Sequence, residues 1–362
     1  MKLWALLFFA LPILGFIYVS WHVWVILPLP TAVKWGVMAL FTCAIGCLFF
    51  NFIVGLNNVP MTLARILYKV GTSSLFVLLY AVIIFLLLDL GQALGLVSRE
   101  FLRSSVAGSI AIFTSLLGLF VYGNINYNHK RAQRFDLKAQ QPLSSPLKVV
   151  MMSDLHLGYH NTRKDLAKWI DKINAEKPDL ILIAGDIVDI STRPLEYEDM
   201  AAELRRLDAP VYTIPGNHEY YAGINKCEDF FRKADIHLLK DSSFVFRNEI
   251  TIIGRDDRSN AGRKSIAELA RTAPKAKYTI LLDHQPYNLE RAEKAGINFQ
   301  FSGHTHYGQV WPINWIEDMI YEDAYGHLIK GNTRYYVSSG IGIWGGKFRI
   351  GTCSEYAVTQ IK

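Results

Sequence analysis

The sequence predicts an α/β protein: a layered sandwich with two sheets inside and helices outside, preceded by an all-α region of four transmembrane helices. Three observations lead there. Up to about residue 125 the chain is mostly Leu, Phe, Val, Ile and Ala. After that, strand-like and helix-like patterns alternate. The polar clusters of this second part fall where apolar strands end.

Hydrophobic residues make up 51% of the 362, too many for an ordinary soluble enzyme and too few for a chain embedded throughout. Four runs have the length of about 20 residues that a bilayer crossing needs: Leu3 to Leu27, Ala32 to Leu56, Ser73 to Val97, and Val106 to Gly123. The first is too long for a cleavable signal peptide, and no small-residue cleavage site follows it. Lys2, Arg65, Lys69, Lys130, Arg131, Arg134 and Lys138 flank the spans on one side; Lys34, Arg99 and Arg103 flank them on the other. The larger set marks the cytoplasmic side. That places the C-terminal domain in the cytoplasm of a multi-pass inner-membrane protein. His22 and Asp89 lie near the ends of their runs, which argues for anchoring helices rather than a transport path.

The net charge of +6 comes from scattered basic residues, several of which topology explains, so nucleic acid is not an expected partner. Cys43 and Cys47 lie in an apolar run, and Cys227 and Cys353 are isolated. No zinc-type spacing occurs, and free thiols are expected.

Residues 126–146 are polar, contain two prolines and read as a juxtamembrane linker. From residue 147 the order is strand (147–154), helix (162–177), strand (178–186), helix (196–209), strand (210–221) and helix (227–239). The first of these helices carries Leu166, Trp169, Ile170 and Ile173 at helical spacing. Strands then dominate, at 243–247, 249–255, 278–286, 299–308, 334–342 and 355–361. A βαβαβ half followed by a strand-rich half suggests sheets covered by helices.

Five polar clusters sit at strand ends: Asp154-x-His156, Gly185-Asp186-x-x-Asp189, Gly216-Asn217-His218-Glu219, Asp283-His284 and Gly303-His304-Thr305-His306. Ligands of α/β folds bind beyond the carboxyl ends of strands. On strand alternation, Asp154 and His156 project to the same side. Carboxylate, imidazole and amide donors suit Mn, Fe or Zn in a mixed oxygen and nitrogen site. They are too many for one ion, and two divalent ions sharing a carboxylate use them all.

This set, standing as SDLHLG, GDIVD, PGNHEY, LDHQP and SGHTHYGQ, resembles the calcineurin-like metallophosphoesterase superfamily in order and rough spacing over residues 147–362. The resemblance implies a four-layer αββα sandwich for that catalytic domain, with 1–125 the transmembrane region and 126–146 the linker. It implies two metal ions, with manganese favoured. Asp154, His156 and His306 hold the first, Asn217, His284 and His304 hold the second, and Asp186 bridges them. His218 contacts the scissile phosphate and protonates the leaving oxygen, while Asp189 and Glu219 orient ligands. The closing segment is similar to membrane-associated bacterial members that include an alternative class of UDP-2,3-diacylglucosamine pyrophosphatases. Tyr307 stands where the family usually has Gly.

The expected activity is hydrolysis of a phosphate ester or pyrophosphate on a lipid-linked substrate beside the bilayer, such as UDP-2,3-diacylglucosamine. Phospholipids and isoprenoid pyrophosphates are alternatives, as is a metal-binding membrane sensor or scaffold without turnover. The loop 254–264 offers Arg255, Arg258 and Arg263 as phosphate contacts, since guanidinium suits phosphate; Tyr307 is a further candidate substrate contact. The residues Trp311, Trp315, Ile316 and Met319 read as core or as an interfacial lip.

Overall fold

The structure, a computed structural model, describes residues 3–362. Lys2, used in the topology reading, lies outside the described residues. The chain divides into two compact units. One runs to Gly123 and includes Gly345–Lys347; the other holds Asn124–Trp344 and Phe348–Lys362.

The helical unit contains α1 (Leu3–Ile26), α2 (Thr31–Ile53), α3 (Met61–Ala93) and most of α4 (Val106–Asn128). Pro30 and Pro60 stand immediately before α2 and α3, where a missing N–H costs no helical hydrogen bond. Val19, Ile45, Leu78, Ala81 and Phe85 form its interior, while Leu40, Leu87 and Phe113 face outward. Apolar side chains on all sides suit a lipid surround. Among the described residues three helices, α2 to α4, are long and apolar enough to cross a membrane, and the apolar stretch Ala10–Ile26 of α1 is shorter. The 33 residues of α3 extend about 50 Å at 1.5 Å per residue. That exceeds the expected span at 73–97 and includes Arg65 and Lys69 in its opening turns. His22 and Asp89, expected near the ends of their runs, pair: His22 Nε2 lies 3.1 Å from Asp89 Oδ2, which also accepts from the Tyr18 hydroxyl at 2.5 Å.

The second unit holds two six-stranded sheets. The first has β1 (Lys130–Leu137), β2 (Leu147–Met152), β3 (Leu180–Ile183), β4 (Val211–Thr213), β5 (Ile236–Leu238) and β12 (Ser354–Ile361), in the order β1-β12-β2-β3-β4-β5. The second has β6 (Ser242–Phe246), β7 (Ile250–Gly254), β8 (Tyr278–Leu282), β9 (Phe299–Ser302), β10 (Gly326–Lys330) and β11 (Thr333–Val337), in the order β10-β11-β9-β8-β7-β6. Alternation divides the burial of β2. Val149 and Met151 meet Ile252, Ile280, Leu282 and Phe301 between the sheets. Val150 and Met152 face the outer helices α5 (Arg163–Ala175), α6 (Arg193–Tyr197), α7 (Met200–Leu204) and α9 (Ile224–Lys233). On the far side, α10 (Ile266–Thr272) and α11 (Glu290–Lys294) cover Ile253 and Leu281. The layers are therefore αββα. Two more short α-helices are α8 (Asn217–Ala222), which follows β4, and α12 (Ile313–Ile320), between β9 and β10.

Three local expectations are corrected. The segment 126–146 is not simply a linker: Lys130–Leu137 is an edge strand in parallel register with Ser354–Ile361, because Ala132 and Phe135 meet the two cores. The helix expected over 196–209 is two short helices parted at Asp199, whose φ of 49° is left-handed. The helix expected over 227–239 begins at Ile224 and ends at Lys233, and the chain continues as β5. All four cysteines are free.

Candidate metal centre

The five strand-end clusters converge, by a different route from strand alternation. β2 stops at Met152, and Asp154 and His156 adopt φ of 56° and 44°. Asp186, His304 and His306 are also left-handed, at 53°, 74° and 49°. Such backbone is costly for non-glycine residues and persists only where its surroundings enforce it. These turns, rather than a continued pleat, set the direction of the side chains. Gly303 leaves the necessary room, since a Cβ there would collide with Ser153 and Asp154 Oδ2.

Asp154, His156 and His306 bring one donor atom each into a common space. His156 Nε2 and His306 Nε2 are 3.0 Å apart, and Asp154 Oδ1 lies 3.9 and 3.7 Å from them. A point equidistant from corners so spaced lies about 2.1 Å from each, the length of a zinc–nitrogen or zinc–oxygen bond. Asp186, His284 and His304 form a second such group. Asp186 Oδ2 stands 3.1 Å from His284 Nε2 and 3.7 Å from His156 Nε2, so one carboxylate faces both groups. Asn217 opens α8 with its Oδ1 buried and without a hydrogen-bond partner among the described residues. Buried acceptors are rarely left this way. The donor set fits a pair of divalent cations.

The charges are arranged to match. Burial pushes His304 down to about 3, with His284 adding repulsion, and holds His306 well below the usual range. Both imidazoles are therefore neutral and offer lone pairs at pH 7. Burial opposes the charge on Asp186, but His284, His218 and His156 outweigh it and keep its carboxyl well below the ordinary range. His284 Nδ1 donates to Ala184 O at 2.6 Å, which turns Nε2 toward Asp186.

Glu219 and Asp189 contact this set. Glu219 accepts from the amides of Asp186, Gly216 and Val188 at 3.0, 2.7 and 2.9 Å, fixing the Asp186 loop against α8. Asp189 Oδ1 lies 3.5 Å from His156 Nδ1 and 3.4 Å from His218 Nδ1. His218 Nδ1 also donates to the Asp189 carbonyl at 2.9 Å, leaving Nε2 as its outward atom. Burial disfavours the His218 cation, but Asp186 and Asp189 outweigh that and push it up to about 9. It holds a proton at neutral pH.

The arginine loop is largely otherwise engaged. Arg255 is buried and donates to Asp283 Oδ2 at 2.9 Å, and Arg263 donates to Asp283 Oδ1 at 3.2 Å. These two steady the residue before His284 and are not free phosphate ligands. Arg258 is exposed, with its guanidinium 3.9 Å from the centre of the Tyr287 ring. Tyr287 lies 4.7 Å from Tyr321, whose ring is 6.3 Å from that of His304. Tyr307 stacks on Tyr325 at 4.9 Å, and its hydroxyl donates to Asp318 at 3.4 Å.

Two supporting residues escape sequence reasoning. Arg349 is fully buried and donates to the His306 carbonyl at 2.5 Å and to the Ser339 carbonyl. Asn161 donates to the carbonyls of Leu155, His156 and Ile343 at 3.0, 3.0 and 3.1 Å. Nothing in their spacing marks either.

Residues 147–308 match the model of the calcineurin-like phosphoesterase family. A Campylobacter jejuni protein named an uncharacterized metallophosphoesterase is 32% identical over 67% of this chain and 66% of its own length. An Aquifex aeolicus protein of the same description is 30% identical over 68% of this chain and 97% of its own. A Danio rerio transmembrane protein with a metallophosphoesterase domain is 29% identical over 60% of this chain and 53% of its own.

Proposed function

The chain belongs to the calcineurin-like metallophosphoesterase family, and from that premise we propose that it is a membrane-anchored hydrolase of phosphate esters or pyrophosphates. The observation that carries this reading is Asp186, whose Oδ2 faces His284 Nε2 at 3.1 Å and His156 Nε2 at 3.7 Å, between two groups of metal donors.

Asp154, His156 and His306 would hold one divalent ion, Asn217, His284 and His304 the other, and Asp186 both. When bound, such a pair supplies Lewis-acid charge that orients a phosphate and lowers the pKa of a water. The chain's own groups do the rest. Glu219 keeps Asp186 in register, and Asp189 holds the His218 ring. The His218 amide donates to Asp186 Oδ1 at 2.9 Å, tying the acid to the bridging carboxylate. Protonated His218 is placed to give its Nε2 proton to the leaving oxygen. The donor chemistry accepts Mn, Fe or Zn, with Mn favoured.

Apolar spans in the same chain support a lipid-linked substrate met at the bilayer surface, and the bias of basic flanking residues supports a catalytic unit on the cytoplasmic side of the inner membrane. UDP-2,3-diacylglucosamine, cleaved to UMP and a lipid monophosphate, is the sharpest version. Phospholipids and isoprenoid pyrophosphates are the alternatives.

The test uses the full chain purified in detergent with Mn²⁺, beside Asp186→Ala. Products from bis(p-nitrophenyl) phosphate and from UDP-2,3-diacylglucosamine are read by absorbance and by mass. Turnover of both by the wild type alone supports the whole reading. Turnover of the generic diester alone keeps the chemistry and discards the nucleotide lipid.

A further inference from the structure

Helix α12 is amphipathic in the wrong sense for water. Trp315, Ile316, Met319 and Ile320 share one stripe at helical spacing, Trp311 stands just ahead of the helix, and all five are exposed, Met319 at 77% and Trp315 at 57%. The polar Asn314 is buried and Glu317 half-buried on the inner side. The rings of Trp311 and Trp315 meet edge to face at 5.3 Å, so the stripe is a formed ridge. A soluble surface buries such side chains, and a contiguous exposed set marks a binding site.

The helix that carries the ridge adjoins the metal centre at both ends. The turn His306–Gly308 leads into α12, and a Cβ at Gly308 would collide with the backbone of Ile313 and Asn314. Asp318 on the helix accepts from Tyr307. Tyr321, the residue after the helix, has its ring 6.3 Å from that of His304. Phosphate at the metal donors and hydrocarbon on the ridge are therefore within reach of one molecule. The chain carries membrane spans, so the amphiphile at hand is a bilayer lipid, and tryptophan is suited to headgroup depth.

Resting on the phosphoesterase reading above, we propose that the outer face of α12 receives the hydrocarbon chain of a phosphorylated lipid whose phosphate occupies the metal centre. The ridge is a specificity element: it selects long-chain over short-chain phosphates and leaves the chemical step alone.

The experiment measures inhibition of bis(p-nitrophenyl) phosphate hydrolysis by ethyl phosphate and by decyl phosphate. It uses the full chain in one detergent, as wild type, as Trp315→Ser/Met319→Ser and as Ile316→Ser/Ile320→Ser. Partitioning into micelles is common to all three proteins and cancels. Wild type is expected to bind decyl phosphate at least about tenfold more tightly than ethyl phosphate, as partial burial of several methylenes implies. Each double variant is expected to lose most of that ratio while kcat and KM for the soluble diester stay within about twofold of wild type. An unchanged ratio in both variants would overturn the proposal and leave the ridge to a protein partner. Failure of the wild type to hydrolyse the diester would instead strike the catalytic reading, and this one with it.

Discussion

His156 Nε2 and His306 Nε2 face each other at 3.0 Å, although 150 positions separate them in the chain. Two imidazole nitrogens hold that separation around a shared proton or a shared cation, and Asp154 Oδ1 beside them, 3.9 and 3.7 Å away, favours the cation. His156→Ala and His306→Ala should each reduce bound metal from two ions per chain to about one, as read by elemental analysis after dialysis. Retention of both ions in either variant would contradict the ligand assignment.

His218 donates its ring Nδ1–H to the Asp189 carbonyl at 2.9 Å and is not one of the seven residues assigned to the two cations. His218→Gln should keep full metal content and lower kcat by about 100-fold to 10,000-fold for an alkyl leaving group. For p-nitrophenolate, which leaves without a proton, the loss should be far smaller. Equal losses with both leaving groups would remove His218 from the role of acid.

Arg255 and Arg258 lie three residues apart and make opposite predictions. Arg255→Ala leaves the buried Asp283 with only Arg263, and should cost about 3 kcal/mol or more of stability, measured by denaturant unfolding of the full chain. Arg258→Ala removes an exposed stacked cation and should leave stability unchanged while raising KM for an anionic substrate by about fivefold to tenfold. A stable Arg255→Ala with impaired KM would restore Arg255 as a substrate contact.

Glu249 reports on acid stability. Lys277 donates to it at 2.7 Å, as do the Ser144 hydroxyl at 2.7 Å and amide at 2.9 Å, and together they hold its carboxyl at about 2. A carboxyl depressed by folding stabilises the fold above its unfolded value, near 4.5, and stops doing so as pH falls through about 2. Lys277→Met should therefore lower the Tm of the full chain at pH 7 by up to about 3 °C, with the difference shrinking below about pH 4.5. A difference that grows on acidification would contradict this.

Much of the site was legible because its chemistry is local. Asp154, His156, Asp186, Asn217, His284, His304 and His306 each sit at the end of an apolar run, and strand ends are where an α/β sandwich gathers polar side chains. The layers followed for the same reason: the continuous apolar run of β2, buried on both faces, and helical spacing in α5 are written in consecutive residues. What escaped depends on distant partners. The strand Lys130–Leu137 exists because Ser354–Ile361 lies beside it, and a polar, proline-flanked sequence gives no hint of that. Arg255 and Arg263 read in sequence as loop arginines open to phosphate, whereas both donate to Asp283. Arg349 reads as one more basic residue near the C-terminus, yet it supports the carbonyl of a candidate metal ligand. The left-handed turns at Asp154 and His156 replace the strand alternation expected from spacing alone.

The most direct test of the two-cation site is metal content and diester hydrolysis measured together on the full chain and on Asp186→Asn. The shared carboxylate predicts two ions per chain with turnover in the wild type, and in the variant at most one ion with turnover reduced by about 1,000-fold or more. Two ions retained with near wild-type turnover in Asp186→Asn would contradict it.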